Sequence, residues 1–321
     1  MIGPMHLVAR LESRPDQVGA WLVSPAADGE TFTIIDASLQ DVTLNRVRAD
    51  LETGRIRHAW FLSKHIVDLY RNLLRGMDYL LRTTPKPHAV NISVGPSMKH
   101  APLDPADPIH TIFHNATQKG LFIVVAHGNE GNPDGSRDGI INPWAATDYA
   151  ISVGACDDDG TAIWPNSSRG LMNVRATWPD LVAPCWSGLD PSVRGTSFAA
   201  PRVAEAAAKI IHFLQLFAAE AGPDVAMILT VPKDTFIACR AMGRRMAGEL
   251  MYIDGAGAAT FRFDPTPSPN LVRQLLRDFT RPVPGALPHI AGAGMLDSAR
   301  LNAFFGAFKV GDAKFLDIDI I

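Results

Sequence analysis

The sequence predicts an α/β fold with a mostly parallel central sheet and helices on both of its faces. Short apolar runs alternate with stretches whose apolar residues recur at helical spacing, which is typical of strands and the helices that cover them. Apolar residues make up 47% of the 321 residues and charged residues 20%, which is the balance of a globular chain. We therefore expect a single domain over 1–321 with an inserted β-rich lobe at about 223–269.

The elements of this fold follow from local patterns. Apolar runs predict strands at Val18–Val23, Thr31–Ile35, Ile56–Leu62, Ala89–Val94, Leu121–Ala126 and Ala150–Gly154. Helical spacing predicts helices at Asp68–Arg82, Ile109–Lys119, Pro201–Ala219 and Leu271–Phe279. Pro201 at the start and Gly222 beyond the end support the third of these helices. Within the lobe, Val225–Val231 and Gly248–Ile253 have strand-like composition.

Composition also narrows the partners and the location of the chain. Its formal net charge is −3, so no basic excess predicts a nucleic acid or an acidic membrane as a partner. No window has the roughly 18 apolar residues of a membrane span, and the N-terminus lacks a secretory signal pattern. Cys156, Cys185 and Cys239 are too widely spaced for a disulfide framework or a metal cluster, so we expect reduced thiols in a cytoplasmic protein.

Ser197 is the first candidate for chemistry, in the segment RGTSFAAPRVAEAA. It stands between a tight Gly-Thr loop and a helix, where the positive end of a helix dipole acts on its hydroxyl. A backbone N–H at such a position helps to hold an oxyanion. A serine before a helix is also the usual helix N-cap, and the segment alone does not separate the two roles.

Asn129 is the second candidate, in LFIVVAHGNEG, where a buried strand ends at a glycine. The carboxyl ends of strands are where open α/β sheets bind ligands, and a carboxamide N–H there can donate to a developing oxyanion. The simpler alternative is a turn residue, since asparagine tolerates left-handed backbone geometry.

Together these segments resemble the subtilisin-like serine proteases, the peptidase S8 type. RGTSFAAP resembles the nucleophile motif Gly-Thr-Ser-x-Ala-x-Pro, VVAHGNEG the oxyanion-asparagine segment, and VNISVGP the substrate-binding strand. ISVGACDDDGTAIWPNSSRG, DLVAPC and AGAGMLDSARL resemble three further segments of the family, and all six stand in family order.

The resemblance implies roles for these residues. Ser197 would be the nucleophile and Asn129 the side-chain donor to the oxyanion, with Ser93, Val94, Gly95 and Gly128 lining the substrate groove. A peptide would bind there by strand addition, and a covalent acyl-enzyme would form and be hydrolysed. No cofactor is expected, although members of the family often bind calcium.

The family's His-Gly-Thr motif is missing, and two interpretations follow. In the first, Asp36 at the end of TFTIIDAS is the triad acid and His58 or His65 is the base. In the second, the chain starts inside the family fold, Asp36 is structural, and the acid comes from upstream of Met1 or from a partner chain. His6 then lies near the place of the base. The second is preferred because no helix is left for the histidine between Asp36 and Ser93.

The remaining candidates are weaker. His127 is expected to line the groove, and Asp157–Gly160 is a solvated turn more readily than a calcium loop. Arg240, Arg244 and Arg245 form an exposed polar face or bind an acidic partner.

The resemblance makes a serine endopeptidase the leading function. The alternatives are a silent peptide-binding or regulatory subunit without the His/Asp pair, and a flavodoxin-like binding domain in which Ser197 and Asn129 lie far apart.

Overall fold

A computed structural model describes residues 20–25, 31–36, 56–62, 66–82, 87–99, 104–131, 134–171, 178–186, 194–221, 226–241, 248–307, 309–310 and 313–314. The strands are β1 Ala20–Pro25, β2 Thr31–Asp36, β3 Ile56–Leu62, β4 Ala89–Ser93, β5 Met98–Lys99, β6 Phe122–Ala126, β7 Ile140–Ile141, β8 Ile151–Cys156, β9 Leu181–Pro184, β10 Met227–Val231, β11 Glu249–Ile253, β12 Ala259–Phe263, β13 Thr280–Arg281, β14 Met295–Leu296, β15 Lys309–Val310 and β16 Ala313–Lys314. The helices are α1 Ile66–Arg82, α2 Pro108–Gln118, α3 Thr196–Ala221, α4 Lys233–Ala241, α5 Pro269–Asp278, α6 Pro288–Ala291 and α7 Ser298–Ala307, and a short 3₁₀ helix spans Pro143–Ala145.

Nine of the described strands form one sheet in the order β13-β14-β9-β8-β6-β4-β2-β1-β3. From β14 to β2 every neighbouring pair is parallel, and β13, β1 and β3 pair antiparallel at the two sides. Parallel strands are buried on both faces, which explains the continuous apolar runs. The predicted fold class, α/β with a largely parallel sheet, is confirmed.

Helices cover both faces of this sheet. On one face, alternate residues of β6 (Phe122, Val124 and Ala126) pack in a cluster with α3. On the other, Ile123 and Val125 pack with α1 and α2. Successive side chains of a strand point to opposite faces, so each strand contributes to both clusters. None of the helices in the described part of the chain is long and apolar enough to cross a membrane.

Helix α3 begins five residues earlier than predicted, at Thr196 instead of Pro201. Proline has no N–H for the carbonyl four residues before it, so the prediction placed Pro201 at the first turn. In the structure Pro201 lies inside the helix, and the carbonyl that its missing N–H leaves open is that of Ser197. The carbonyl oxygen of Ser197, the candidate nucleophile, can therefore accept a hydrogen bond from a group outside the helix.

Residues 226–263 contain a three-stranded antiparallel sheet in the order β10-β12-β11, with α4 between its first two strands in the chain. Composition predicted β10 and β11 but not β12 or α4. Leu229, Phe261 and Phe236 belong to the same buried cluster as α3, so this sheet shares the core of the main one.

A buried ion pair ties α5 to the main sheet. The Asp180 carboxylate, just before β9, contacts the Arg277 guanidinium of α5 and accepts a hydrogen bond of 2.8 Å from the Ser152 backbone N–H. Both charged residues are almost fully buried, and a buried charge is retained only when it is paired and hydrogen-bonded. The pair fixes the end of α5 against β8 and β9.

The described thiols of Cys156 and Cys185 are free and buried. Cys156 packs with Val182 and Met295, whereas Cys185 packs in the cluster with α3, so the two side chains point to different faces of the sheet. Burial raises the pKa of both thiols above its ordinary value and keeps them protonated. The Cys239 side chain lies outside the described residues.

Candidate active site

Ser197 lies in the first turn of α3 and is half-buried. Its Oγ donates a hydrogen bond of 3.2 Å to the Ser93 carbonyl oxygen at the end of β4. In return, Ser93 Oγ donates 3.0 Å to the Ser197 carbonyl that Pro201 leaves open. The two serines are therefore held by a reciprocal pair of hydrogen bonds across 104 residues of chain.

A buried amide supports this pair from within the sheet. Asn91 Nδ2 donates 3.0 Å to Ser93 Oγ, and both side chains lie on the face of β4 that α3 covers. A hydroxyl that accepts from Asn91 has its own hydrogen free to donate to the Ser197 carbonyl. Asn91 thus orients the hydroxyl of Ser93 toward the first turn of α3.

Asn129 is joined to the same turn through Thr196. Asn129 Oδ1 accepts hydrogen bonds from the Thr196 backbone N–H at 3.0 Å and from Thr196 Oγ1 at 2.8 Å. Thr196 Oγ1 accepts in turn from the Gly128 N–H at 3.3 Å. These bonds occupy the oxygen of the Asn129 carboxamide. Asn129 is exposed, so its Nδ2 faces the surface beside the start of α3.

The amino end of α3 supplies further donors at this position. The first N–H groups of a helix have no partner within the helix, and the helix dipole places partial positive charge there. The Ser197 N–H belongs to this first turn. A negatively charged oxygen between Ser197 and Asn129 would thus meet a main-chain donor and a side-chain donor together.

The loop after Asn129 is held by the turn that contains Ser167 and Ser168. Ser168 Oγ accepts from the Glu130 N–H at 3.0 Å, and the Ser168 N–H donates 2.9 Å to the Gly128 carbonyl. A Cβ on Gly131 would lie 1.9 Å from the Ser167 carbonyl oxygen, so only glycine fits there. The segment after β6 and the turn with Ser167 and Ser168, which resemble two separate motifs of the family, therefore contact each other directly.

Asp36 lies at the same edge of the sheet as Ser93. Strand β2 runs parallel to β4, and Ile35 is paired with Ser93, so Asp36 follows at the carboxyl end beside the strand that carries the Ser197 acceptor. The Asp36 side chain is outside the described residues. His6 and His65 also lie outside them, as does the side chain of His58.

His127 does not line the groove, contrary to expectation. It is fully buried, and its Nδ1 lies 2.7 Å from Ser152 Oγ. In the part of the chain that the structure describes, no histidine side chain is hydrogen-bonded to Ser197, whose hydroxyl is bonded to a main-chain carbonyl. The position of His127 follows from strand alternation, which turns it to the face that α1 and α2 cover.

The weaker candidates have ordinary contacts. Asp157 and Asp159 accept hydrogen bonds from Thr161, and those bonds lower the pKa of Asp159. Among the described residues, no group of three or more His, Cys, Asp or Glu side chains is arranged to hold a metal ion. The Arg240 guanidinium lies 5.8 Å from the centre of the Phe236 ring, while Arg244 and Arg245 are outside the described residues.

Two residues of the site were not singled out from the sequence. The sequence predicts that Thr196 is part of a tight loop, whereas in the structure its N–H and hydroxyl orient Asn129. Asn142 bridges the ends of β4 and β6 and caps the 3₁₀ helix. An asparagine before Pro143 is a helix-cap signal that the sequence does contain, but its contacts with the strands depend on tertiary packing.

Comparison with known proteins adds an independent finding. A model described as the subtilase family, Peptidase_S8, matches residues 69–229. A subtilisin-like protease of Coccidioides posadasii is 29% identical over 178 residues, which cover 53% of this chain and 39% of that protein. Subtilisin Savinase of Lederbergia lenta is 32% identical over 130 residues, which cover 38% of this chain and 41% of that protein.

Among solved structures, the self-cleaved protease domain of PatA matches with a TM-score of 0.45 and 22% identity. The match covers 74% of this chain and 68% of that domain. The chain spans about two fifths of the length of the curated relatives it matches.

Proposed function

The chain belongs to the subtilase family, and on that premise we propose that it is a serine endopeptidase whose nucleophile is Ser197. One observation carries the proposal. The first turn of α3 carries Ser197 directly after Thr196, whose N–H and hydroxyl bind the carboxamide of Asn129 and fix its orientation. Ser197 and Asn129 are thereby linked through one residue, which does not favour the flavodoxin-like alternative, in which the two residues lie far apart.

The proposed substrate is a peptide bound as an added strand along Ser93, Val94 and Gly95, with Gly128 on the opposite wall. Backbone hydrogen bonds give such a complex its affinity, and pockets beside the strand give it selectivity. The Ser93 carbonyl, which now accepts from Ser197 Oγ, becomes an acceptor for a substrate N–H when the hydroxyl turns toward the scissile carbonyl.

The proposed reaction is acyl transfer. Ser197 Oγ forms a bond to the peptide carbonyl carbon, its proton passes to a base, and the carbonyl oxygen becomes an oxyanion facing Asn129 Nδ2 and the Ser197 N–H. The C–N bond then breaks, the leaving amine takes up the proton, and water hydrolyses the ester to restore the serine. We propose Asp36 as the acid that orients this base, since β2 runs beside β4.

A fluorophosphonate probe tests the nucleophile directly. The full-length native chain is expected to become labelled, and peptide mapping by mass spectrometry is expected to find the phosphonyl group on Ser197. The heat-unfolded chain is the control and is expected to stay unlabelled, because reactivity depends on the folded site. A folded chain that carries no label on Ser197 contradicts the proposal.

A peptide-binding protein without turnover is the second candidate. The observation that favours it is the hydroxyl of Ser197, which donates to a main-chain carbonyl rather than to a described histidine. This candidate predicts peptide binding by isothermal titration with no phosphonate label on Ser197. The endopeptidase proposal predicts both binding and labelling.

Asn129→Ala is expected to lower kcat by about 10²–10³-fold with little change in KM, because the lost donor acts on the oxyanion and not on the bound substrate. Initial rates on a fluorogenic peptide measure the effect. Asn115→Ala, an exposed position on α2, is the matched control and is expected to match the wild type. A rise in KM with kcat unchanged, or equal rates for both variants, contradicts the assigned role.

A further inference from the structure

Two polar side chains lie in the layer where α3 packs on β4. Asn91 is fully buried and Ser93 is 2% exposed, and both point to the face of the sheet that α3 covers. On the neighbouring strand β6, the residues of this face are Phe122, Val124 and Ala126. Replacing two hydrogen-bonded polar groups by apolar groups of the same shape is often neutral or stabilising. Packing alone therefore gives no reason for an amide and a hydroxyl in this layer.

The hydroxyl of Ser93 is directed toward α3. Asn91 Nδ2 donates 3.0 Å to Ser93 Oγ, and Ser93 Oγ donates 3.0 Å to the Ser197 carbonyl oxygen. A hydroxyl has one hydrogen to donate, and a second acceptor, Asn91 Oδ1, is further away at 3.4 Å. The amide thus leaves the hydroxyl hydrogen of Ser93 for Ser197.

The Ser197 carbonyl needs a donor from outside the helix. Its partner in a regular helix would be the N–H of residue 201, which is a proline and has none. A proline ring inside a helix also crowds the carbonyl four residues before it. The Ser93 hydroxyl therefore takes the place of a helical donor and joins the first turn of α3 to β4.

This hydrogen bond involves no atom that reacts. Ser197 is attached to Ser93 twice, through Oγ to the Ser93 carbonyl at 3.2 Å and through its own carbonyl to Ser93 Oγ. In the proposed reaction, the first bond breaks when the hydroxyl turns toward a scissile carbonyl. The second can persist, so it can hold the backbone of Ser197 while the acyl-enzyme forms and is hydrolysed.

We propose that Ser93 is a positioning residue, because its hydroxyl binds the Ser197 carbonyl and so fixes where the first turn of α3 places Ser197 Oγ. This inference rests on the proposed endopeptidase function. It adds a side chain that acts through Ser197 and touches neither substrate nor reacting atoms. Reaction rates depend steeply on such placement, since a displacement of about 1 Å can cost about 10²-fold.

Ser93→Ala removes the hydroxyl and keeps the main-chain carbonyl that is proposed to bind substrate. It is expected to slow fluorophosphonate labelling of Ser197, and to lower kcat on a fluorogenic peptide, by about 10–100-fold. KM is expected to stay within about twofold of the wild type, because the lost contact is not made to substrate.

Ser152→Ala is the matched control. Ser152 is also a buried serine in a strand of the main sheet, and its hydroxyl contacts His127 and not Ser197. Urea unfolding is expected to show a similar loss of stability in both variants, whereas Ser152→Ala is expected to keep the wild-type labelling rate. If Ser93→Ala does not fold, Ser93→Cys replaces it, since a thiol fills the same space but is a weak donor.

Pro201→Ala tests the carbonyl contact itself. This change supplies an N–H at residue 201 that can donate to the Ser197 carbonyl, as in a regular helix. The double variant Ser93→Ala/Pro201→Ala is therefore expected to recover labelling to within about threefold of Pro201→Ala alone. A general loss of packing at Ser93 would not be repaired by a backbone donor in α3.

Two results overturn the positioning role while leaving Ser197 as the nucleophile. One is labelling of folded Ser93→Ala as fast as that of Ser152→Ala, and the other is a double variant that stays as slow as Ser93→Ala. Absence of fluorophosphonate label on Ser197 in the wild-type chain instead overturns the proposed function, and the positioning role with it.

Discussion

Ser197→Ala is expected to lower peptide hydrolysis by about 10⁶-fold, because the acyl-enzyme cannot form without the hydroxyl. Removing a nucleophile that works together with a base costs about as much as removing the whole unit. Turnover of a fluorogenic peptide, followed over hours to detect the residual rate, is the measurement.

Peptide binding is expected to survive the same change. The proposed groove along Ser93–Gly95 does not depend on the Ser197 hydroxyl, and removal of that hydroxyl frees the Ser93 carbonyl for a substrate N–H. One lost hydrogen bond costs about 1 kcal/mol of unfolding free energy, so the variant is expected to stay folded.

Ser298→Ala, at the start of α7 and outside the site, controls for a change of serine to alanine in general. It is expected to hydrolyse peptide at the wild-type rate. If Ser197→Ala hydrolyses peptide as fast as Ser298→Ala, Ser197 is not the nucleophile and the site has another function.

Local sequence predicted where Ser197 and Asn129 lie in the fold. Ser197 before a helix and Asn129 after a buried strand were both identified from their neighbours, and both lie at the carboxyl edge of a parallel sheet. This worked because strand ends and helix starts have strong local signals, and all parallel strands end at the same edge.

Sequence could not predict how the parts are held. The reciprocal bonds of Ser93 with Ser197 and the contact of Thr196 with Asn129 join residues that are more than 60 positions apart, and they form only when α3 packs on the sheet. His127 shows the same limit. Its neighbour Gly128 is proposed to line the groove, but the side chain of His127 follows the alternation of β6 to the opposite face.

The start of α3 was misplaced for a related reason. Proline at a first turn is a good local signal, so the sequence predicts a helix that starts at Pro201. The structure tolerates Pro201 inside the helix because Ser93 Oγ bonds the carbonyl that the proline leaves open. A tertiary contact thus replaced the missing helical hydrogen bond, and the extra turn carries Ser197.

The register of β2 bears on the missing partners of the triad. Ala20 of β1 is paired with both Asp36 and Leu62, so the ends of β2 and β3 lie level at the carboxyl edge. His65 follows Leu62 by three positions, whereas His58 precedes it by four, about 13 Å back along the strand. Strand β1 lies between β2 and β3, whereas β2 lies next to β4, so of these residues Asp36 is the one whose strand neighbours that of Ser93.

Asp36→Asn is therefore expected to lower the rate of fluorophosphonate labelling at Ser197 by about 10⁴-fold, because an amide in place of the acid holds the histidine in the wrong tautomer. His65→Ala is expected to cause a loss of similar size, and His58→Ala is the control that keeps the wild-type rate. Labelling rates by quenched-flow or manual sampling measure all three.

The labelling rates of the same variants would also identify the second interpretation, in which Asp36 is structural. If Asp36→Asn and His65→Ala label at the wild-type rate while His6→Ala does not, the base is His6 and Asp36 is a structural residue at a strand end. The two interpretations therefore differ in which single histidine abolishes labelling. Asp36 distinguishes them by itself, because Asp36→Asn slows labelling of Ser197 only if Asp36 orients the base.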